Sequence, residues 1–265
     1  MHILICENSI DGIFSGIYRA YASGYGHNNI RLTTPDALDT YELFCEYEDV
    51  PVDSKNSGKV ANTLCTRLGQ ETYSNLCHAI EAYETPREQK RNINKAEAVY
   101  KTVVLALAMK DGSRILEHLG NPYVNRVFQL WRSAYNESHH MLGFLRFSEL
   151  ENGTLFSRIH PKNNILPVLA DHFTDRLPME NFIIYDETRK TAALHKSGSG
   201  YILAEVPHAD EDFMNRFSEK ELEFRQLWLE FVHTIAIEAR YNPKLQSQNI
   251  PKRFWKDVTE LKELL

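Results

Sequence analysis

The chain has 265 residues, 43% of them hydrophobic and 25% charged, with a formal net charge of −6. That is the composition of an ordinary globular protein, long enough to bury a core without staples, and it excludes a generally basic coat for nucleic acid, whose binding draws on clustered Lys and Arg releasing counterions. No apolar run approaches the ~18 residues of a membrane span. "MHILICENSI" lacks the basic start and long apolar core of a signal peptide, so the expectation is a cytoplasmic protein with no membrane partner.

"MHILIC" reads as a short strand, and in "DGIFSGIYRAYAS" Ile13, Ile17 and Tyr21 share one face at helical spacing. "YELFCEYEDVPVD" has the alternation of a second strand with Pro51 near its end, and "GYGHNNIRLTTPD" between them offers an edge strand. A β-α-β opening follows. From Asn56 to about Met141 the pattern is helical, punctuated at Gly69, Pro86, Asp111-Gly112 and Gly120-Asn121-Pro122, which predicts three to five helices. Asn94 with Glu97 forms a capping-box pattern ahead of the apolar "AEAVYKTVVLALAM".

The character changes at Gly143. Two β-rich runs flank Asn152-Gly153, the strongest short hairpin signal, because both residues tolerate positive φ. "NNILPVLADHFTDRL" predicts a helix with an Asn N-cap, Pro167 in its first turn and Ile165, Leu169 and Phe173 on one face. "NFIIYDETRKTAALHK" predicts a second hairpin turning near Asp186 to Lys190. Strand, strand, helix, strand, strand is an α+β arrangement with an antiparallel sheet. Ser218 and Glu221 cap a last long helix whose apolar stripe is Phe224, Leu227, Trp228, Phe231 and Ile235, and Asn242-Pro243 ends it. The expected organisation is a β-α-β start plus helices over 1–138 and the sheet, helix and tail over 139–265, or one continuous domain.

No phosphate loop, dinucleotide fingerprint or serine-hydrolase elbow is present, and "KSGSGY" reads as a flexible loop. Cys6, Cys45, Cys65 and Cys77 form no C-x-x-C pair and read as reduced thiols. Among the histidines no spacing sets two metal ligands on one helix face, so neither a metal nor another cofactor is expected. His172, in "LADHFTDR" beside Asp171, Asp175 and Arg176, has the neighbours of a general base, a phosphate contact or an ordinary structural pair. Arg146, between Phe144 and Phe147, belongs to a half-exposed face in this reading. The final basic stretch, "RYNPKLQSQNIPKRFWKD", interleaves Arg240, Lys244, Lys252, Arg253 and Lys256 with Phe254 and Trp255. Such a segment either grips phosphate and stacks on bases or docks the C-terminus on the body.

Five stretches together resemble a bacterial family of unknown catalytic activity associated with DNA repair or DNA metabolism. They are Glu137 and His139 (E-x-H), Gly143 to Phe147, Pro161 to Arg176, Ile184 to Arg189, and Arg240 to Lys256, with "DGIFSG" at 11–16 a looser match. The resemblance implies a DNA-repair accessory protein and, as a companion, a radical S-adenosylmethionine protein related to spore photoproduct lyase; the same domain also occurs fused to uracil-DNA glycosylase-like domains. Under that reading damaged or single-stranded DNA is bound by Arg146, His172, Arg176, Arg240, Lys244, Lys252, Arg253, Trp255 and Lys256. The alternatives are a nuclease- or glycosylase-like hydrolase using His139 or His172 with Asp186, and a protein-interaction module without DNA contact. The residues leave open whether the chain is an enzyme.

Overall fold

In the computed structural model β1 (His2–Cys6) lies between β2 (Ile30–Thr33) and β3 (Glu46–Val50), parallel to both. The structure describes residues 1–38, 40–89 and 93–264, the side chains of 262–264 excepted. The expected β-α-β opening is present, with β2 as the edge strand drawn from "GYGHNNIRLTTPD". The crossover helix α1 (Ile10–Ser23) is capped by Ser9 Oγ and buries Ile13, Phe14 and Ile17. It can sit hard against β1 only because of its glycines: a Cβ on Gly12 would lie 2.4 Å from the Glu7 carbonyl oxygen, and one on Gly16 3.2 Å from Cys6 Cβ.

The helices α2 (Ser54–Leu68), α3 (Gln70–Glu81), α4 (Pro86–Gln89), α5 (Lys95–Ala108) and α6 (Pro122–Phe144) follow, with a 3₁₀ segment at Gly112–Glu117 where a regular helix was expected. Leu64, Leu68, Leu76, Ile80, Val99 and Val103 join the α1 residues in one core. Asn94 caps α5 as predicted, but the carboxylate of Glu97 turns away to accept the Leu32 amide at 2.8 Å, so the box closes on one side only. The chain divides into two compact units, Met1–Asn136 and Glu137–Leu265, with the division inside α6.

The second unit holds a five-stranded sheet in the order β4 (Ser148–Glu149), β5 (Leu155–Ile159), β6 (Phe182–Asp186), β7 (Thr191–His195) and β8 (Tyr201–Glu205). The hairpin at Asn152-Gly153 forms, Gly153 taking φ +78°. The sheet is mixed rather than antiparallel, because β5 and β6 pair in parallel. α7 (Leu166–Arg176) separates them, and a helix of three turns between two strands carries the chain back to the end it started from. "KSGSGY" is the turn into the additional strand β8 rather than a free loop. α7 has no Asn cap, although Ile165, Leu169 and Phe173 are buried as predicted; the side chain of Asn163 is spent on Glu137.

A short helix α8 (Glu211–Met214) precedes α9 (Glu219–Ile235), which stops well before the expected Asn242-Pro243. Those two residues instead begin α10 (Pro243–Asn249): Asn242 Oδ1 accepts the Leu245 amide and proline occupies the first turn, where its missing N–H costs nothing. The end of the chain forms two 3₁₀ segments, Lys252–Asp257 and Thr259–Leu264, in place of a regular helix, and Leu265 lies outside the described residues.

Candidate nucleic-acid interface

Ligands of sheets with parallel strands gather at the carboxyl ends of those strands. In the second unit that edge is the end of β5 and β6, where His160 and Glu187 are the first residues past their strands. His160 Nε2 stands 2.8 Å from Glu187 Oε2, and His160 Nδ1 stands 2.7 Å from Asp257 Oδ1. Asp257 comes from the basic tail, and its side chain is 1% exposed. Arg158 reaches across to Glu187 at 3.5 Å and to Glu211 at 2.7 Å. Burial works to raise the Glu187 carboxyl, but the hydrogen bond and charge of His160, with Arg158 and Lys190, outweigh it and hold the group below its ordinary range.

Arg158, His160 and Glu187 line a cavity of about 350 Å³ together with Ser148, Arg225 and Lys256. Arg225 donates to Ser148 Oγ at 2.9 Å and to Glu221 at 3.2 Å, packs its guanidinium on Phe217, and keeps a buried Nε without a hydrogen-bond partner. It also lines a second cavity of about 300 Å³, with Arg146, Phe147, Phe224 and Trp228. Glu260 organises that cavity, accepting from Arg146 at 3.1 Å and from the Trp228 indole at 3.2 Å. The faces of Phe224 and Trp228 stay open, 69% and 43% exposed. The two cavities therefore adjoin at Arg225, and cations, aromatic rings and the carboxylates of Glu187 and Glu221 line them.

The structure does not bring the predicted site residues to one place. Arg146 and Lys256 line these cavities. Lys252 and Arg253 are exposed on the same 3₁₀ segment as Lys256, with Arg253 also 3.6 Å from the buried Glu137. Trp255 is buried and its indole N–H donates to the Ile250 carbonyl at 2.8 Å, while Phe254 packs on Phe144, so the tail's aromatic residues dock it on the body and offer no face to a base. Arg240 and Lys244 line or border a separate surface after α9, Lys244 in the first turn of α10. A cation at that position gains nothing from the helix dipole. His139, His172 and Arg176 are exposed on α6 and α7, and His172 sets its ring edge-on to Phe173.

Asp186, the carboxylate expected to work with a histidine, is fully buried, and its partners are Arg189 and the amides of Thr188 and Arg189. Burial raises its carboxyl despite Arg189. Glu137, from the E-x-H pattern, is equally structural: it accepts from the amides of Lys162 and Asn163 and from the Asn163 side chain at 2.6 Å. Sequence reasoning missed Arg158, His160, Glu187, Arg225 and Asp257. Their one available signal was the helix between β5 and β6, which implies parallel strands and hence a site just past their ends. Among the described residues no group of three His, Cys, Asp or Glu is placed to hold a metal ion, all four cysteines are free, and no helix is long and apolar enough to cross a membrane.

No curated protein matches the chain. Among solved structures, the RecJ protein of Thermus thermophilus in complex with Mg²⁺ is similar at a TM-score of 0.33 and 9% identity, over 74% of this chain and 41% of that one. The chain thus spans less than half of that protein, and a likeness at this level carries no functional argument. The family match is of another order. A model described as a domain of unknown function covers residues 94–260, from the cap of α5 to the end of the basic tail, and the chain belongs to that family, DUF4130.

Proposed function

We propose that the second unit binds single-stranded DNA, in a repair or DNA-metabolism role, along the two cavities that adjoin at Arg225. One observation carries this reading: Arg158, Arg225 and Lys256 line one cavity and Arg146 and Arg225 the next, where Phe224 and Trp228 are exposed, with Glu187 and Glu221 as the carboxylates between them. Phosphates take the cations and unstacked bases take the rings, a combination that tolerates any base sequence. The local cations also explain how a chain with a net charge of −6 would hold a polyanion. The test is fluorescence anisotropy of a labelled oligothymidylate. Arg225→Ala and Trp228→Ala are each expected to weaken binding by about tenfold. Unchanged affinity in both folded variants would remove the groove from the contact.

A second reading is supported by the rest of α9. Leu227, Phe231 and Ile235 continue past the cavities as an exposed apolar stripe, extended by Ile237, Tyr241 and Leu245. Such a stripe is the surface of a protein-interaction module, and the radical S-adenosylmethionine companion is the partner the family resemblance suggests for it. Co-purification of the two proteins after nuclease treatment, lost in Phe231→Ala/Ile235→Ala, is the expected result; persistence of the complex in that variant would place the contact elsewhere.

A further inference from the structure

Glu187, the one carboxylate among the described residues that lines the first cavity, has a different character from other acids of the second unit. Glu137 and Asp186 are buried and saturated with donors inside the fold. Glu187 is 30% exposed, and both of its partners, His160 and Arg158, hold the same oxygen, Oε2. Its Oε1 has no hydrogen bond among the described residues. Because His160 is fixed at both ring nitrogens, one of them by the buried Asp257, the imidazole cannot swing away and Glu187 is oriented rather than merely paired. Around it stand Arg158, Arg225 and Lys256, and Lys256 makes no ion pair among the described residues. A carboxylate with one uncommitted oxygen, lining a polar cavity with Lys256 and with Arg158 and Arg225, whose other partners are Glu211 and Glu221, has the parts for attack of water on a phosphodiester, whose transition state gathers negative charge on the phosphoryl oxygens.

We propose that Glu187 and Lys256 are catalytic residues for hydrolysis of a phosphodiester in the bound strand, with His160 and Asp257 as positioning residues. The inference rests on the strand-binding reading above. Glu187 Oε1 takes a proton from water as the water oxygen bonds to phosphorus. The bond from phosphorus to the leaving ester oxygen breaks with its electron pair, and that oxygen takes a proton from the Lys256 ammonium. The proton on Glu187 then returns to Lys256 through solvent, which restores both groups. Arg158 and Arg225 hold the non-bridging oxygens throughout. His160 is the first of the groups that hold the Glu187 carboxyl below its ordinary range.

Two probes test this with the full chain: bis(p-nitrophenyl) phosphate, an activated phosphodiester, and an end-labelled single-stranded oligonucleotide. The wild-type chain is expected to turn over both. Glu187→Gln is expected to lower kcat by about 100-fold or more, the usual share of a general base, while oligonucleotide affinity holds or rises because a negative charge is lost. Lys256→Ala, at an exposed position that the fold does not use, gives an independent loss on the oligonucleotide and a smaller one on the probe, whose leaving group needs no proton. His160→Gln separates positioning from simple damage: without the imidazole Glu187 binds its proton more tightly, so the acid limb of the pH–rate profile moves to higher pH. A wild-type chain that binds the oligonucleotide and cuts neither probe overturns the catalytic inference and leaves the binding reading standing. A chain that does not bind overturns both, and a Glu187→Gln variant with wild-type rate overturns the assignment of the base.

Discussion

Asp186 and Glu187 are adjacent acids with opposite fates. Asp186 is the last residue of β6 and points into the unit, where Arg189 neutralises it; Glu187, one residue on, emerges into the cavity. Side chains alternate across a strand, so the sequence "YDE" contains the divergence but not its sign, which depends on the sheet's neighbours. His160 was invisible for a related reason: its partners lie 27 and 97 residues away. The lowered proton affinity of Glu187 has a consequence for folding. A carboxyl depressed in the folded state adds stability above the unfolded value of about 4.3, and this is lost as pH falls toward the folded value. Denaturant titrations of Glu187→Gln between about pH 3 and 6 are therefore expected to show less acid destabilisation than the wild type. For Glu137→Ala, which removes the carboxylate that accepts from the Lys162 and Asn163 amides and faces Arg253, a loss of about 1–3 kcal/mol at neutral pH is expected from the same titrations.

At the scale of elements, periodicity located most strands and helices, while pairing and termini depended on what it does not contain. The Asn152-Gly153 hairpin was legible because positive φ is a local requirement. Both predicted hairpins form, but the parallel pairing of β5 and β6 that joins them is a property of the whole β-α-β unit, which reading the strands two by two does not contain. Asn242-Pro243 was read as a stop, yet the same pair opens α10, since a residue excluded from a helix interior is welcome in its first turn. The capping boxes at Asn94 and Ser218 each form one bond, because Glu97 and Glu221 found acceptor work on the strand amides of Leu32 and Glu149. "DGIFSG" has a plain physical reading in the approach of α1 to β1. Gly12→Ala, which drives a Cβ to 2.4 Å from backbone, is expected to cost about 1–3 kcal/mol in thermal or chemical unfolding, and Gly16→Ala less, because its nearest neighbour is a movable leucine methyl.

On the scale of the whole molecule, a chain of net charge −6 brings cations, their paired carboxylates and aromatic rings to two adjoining cavities, from residues spread between Arg146 and Glu260. The basic tail is the piece that composition singled out; its aromatic residues are internal packing, Lys256 lines the first cavity and the buried Asp257 holds His160. Arg146 and Lys256 border neighbouring cavities joined through Arg225, a residue that carried no mark in the sequence beyond its place in an acidic, amphipathic helix. The measurement that bears most directly on strand binding is the salt dependence of oligothymidylate affinity. Each phosphate neutralised contributes a slope of about −0.7 to log Kobs against log [salt] on single strands, so engagement of Arg146, Arg158, Arg225 and Lys256 predicts about −3. Changing Arg158, Arg225 and Lys256 to Ala should reduce that slope to about −0.7 in a folded protein. An unaltered slope and affinity in the triple variant would contradict the central claim.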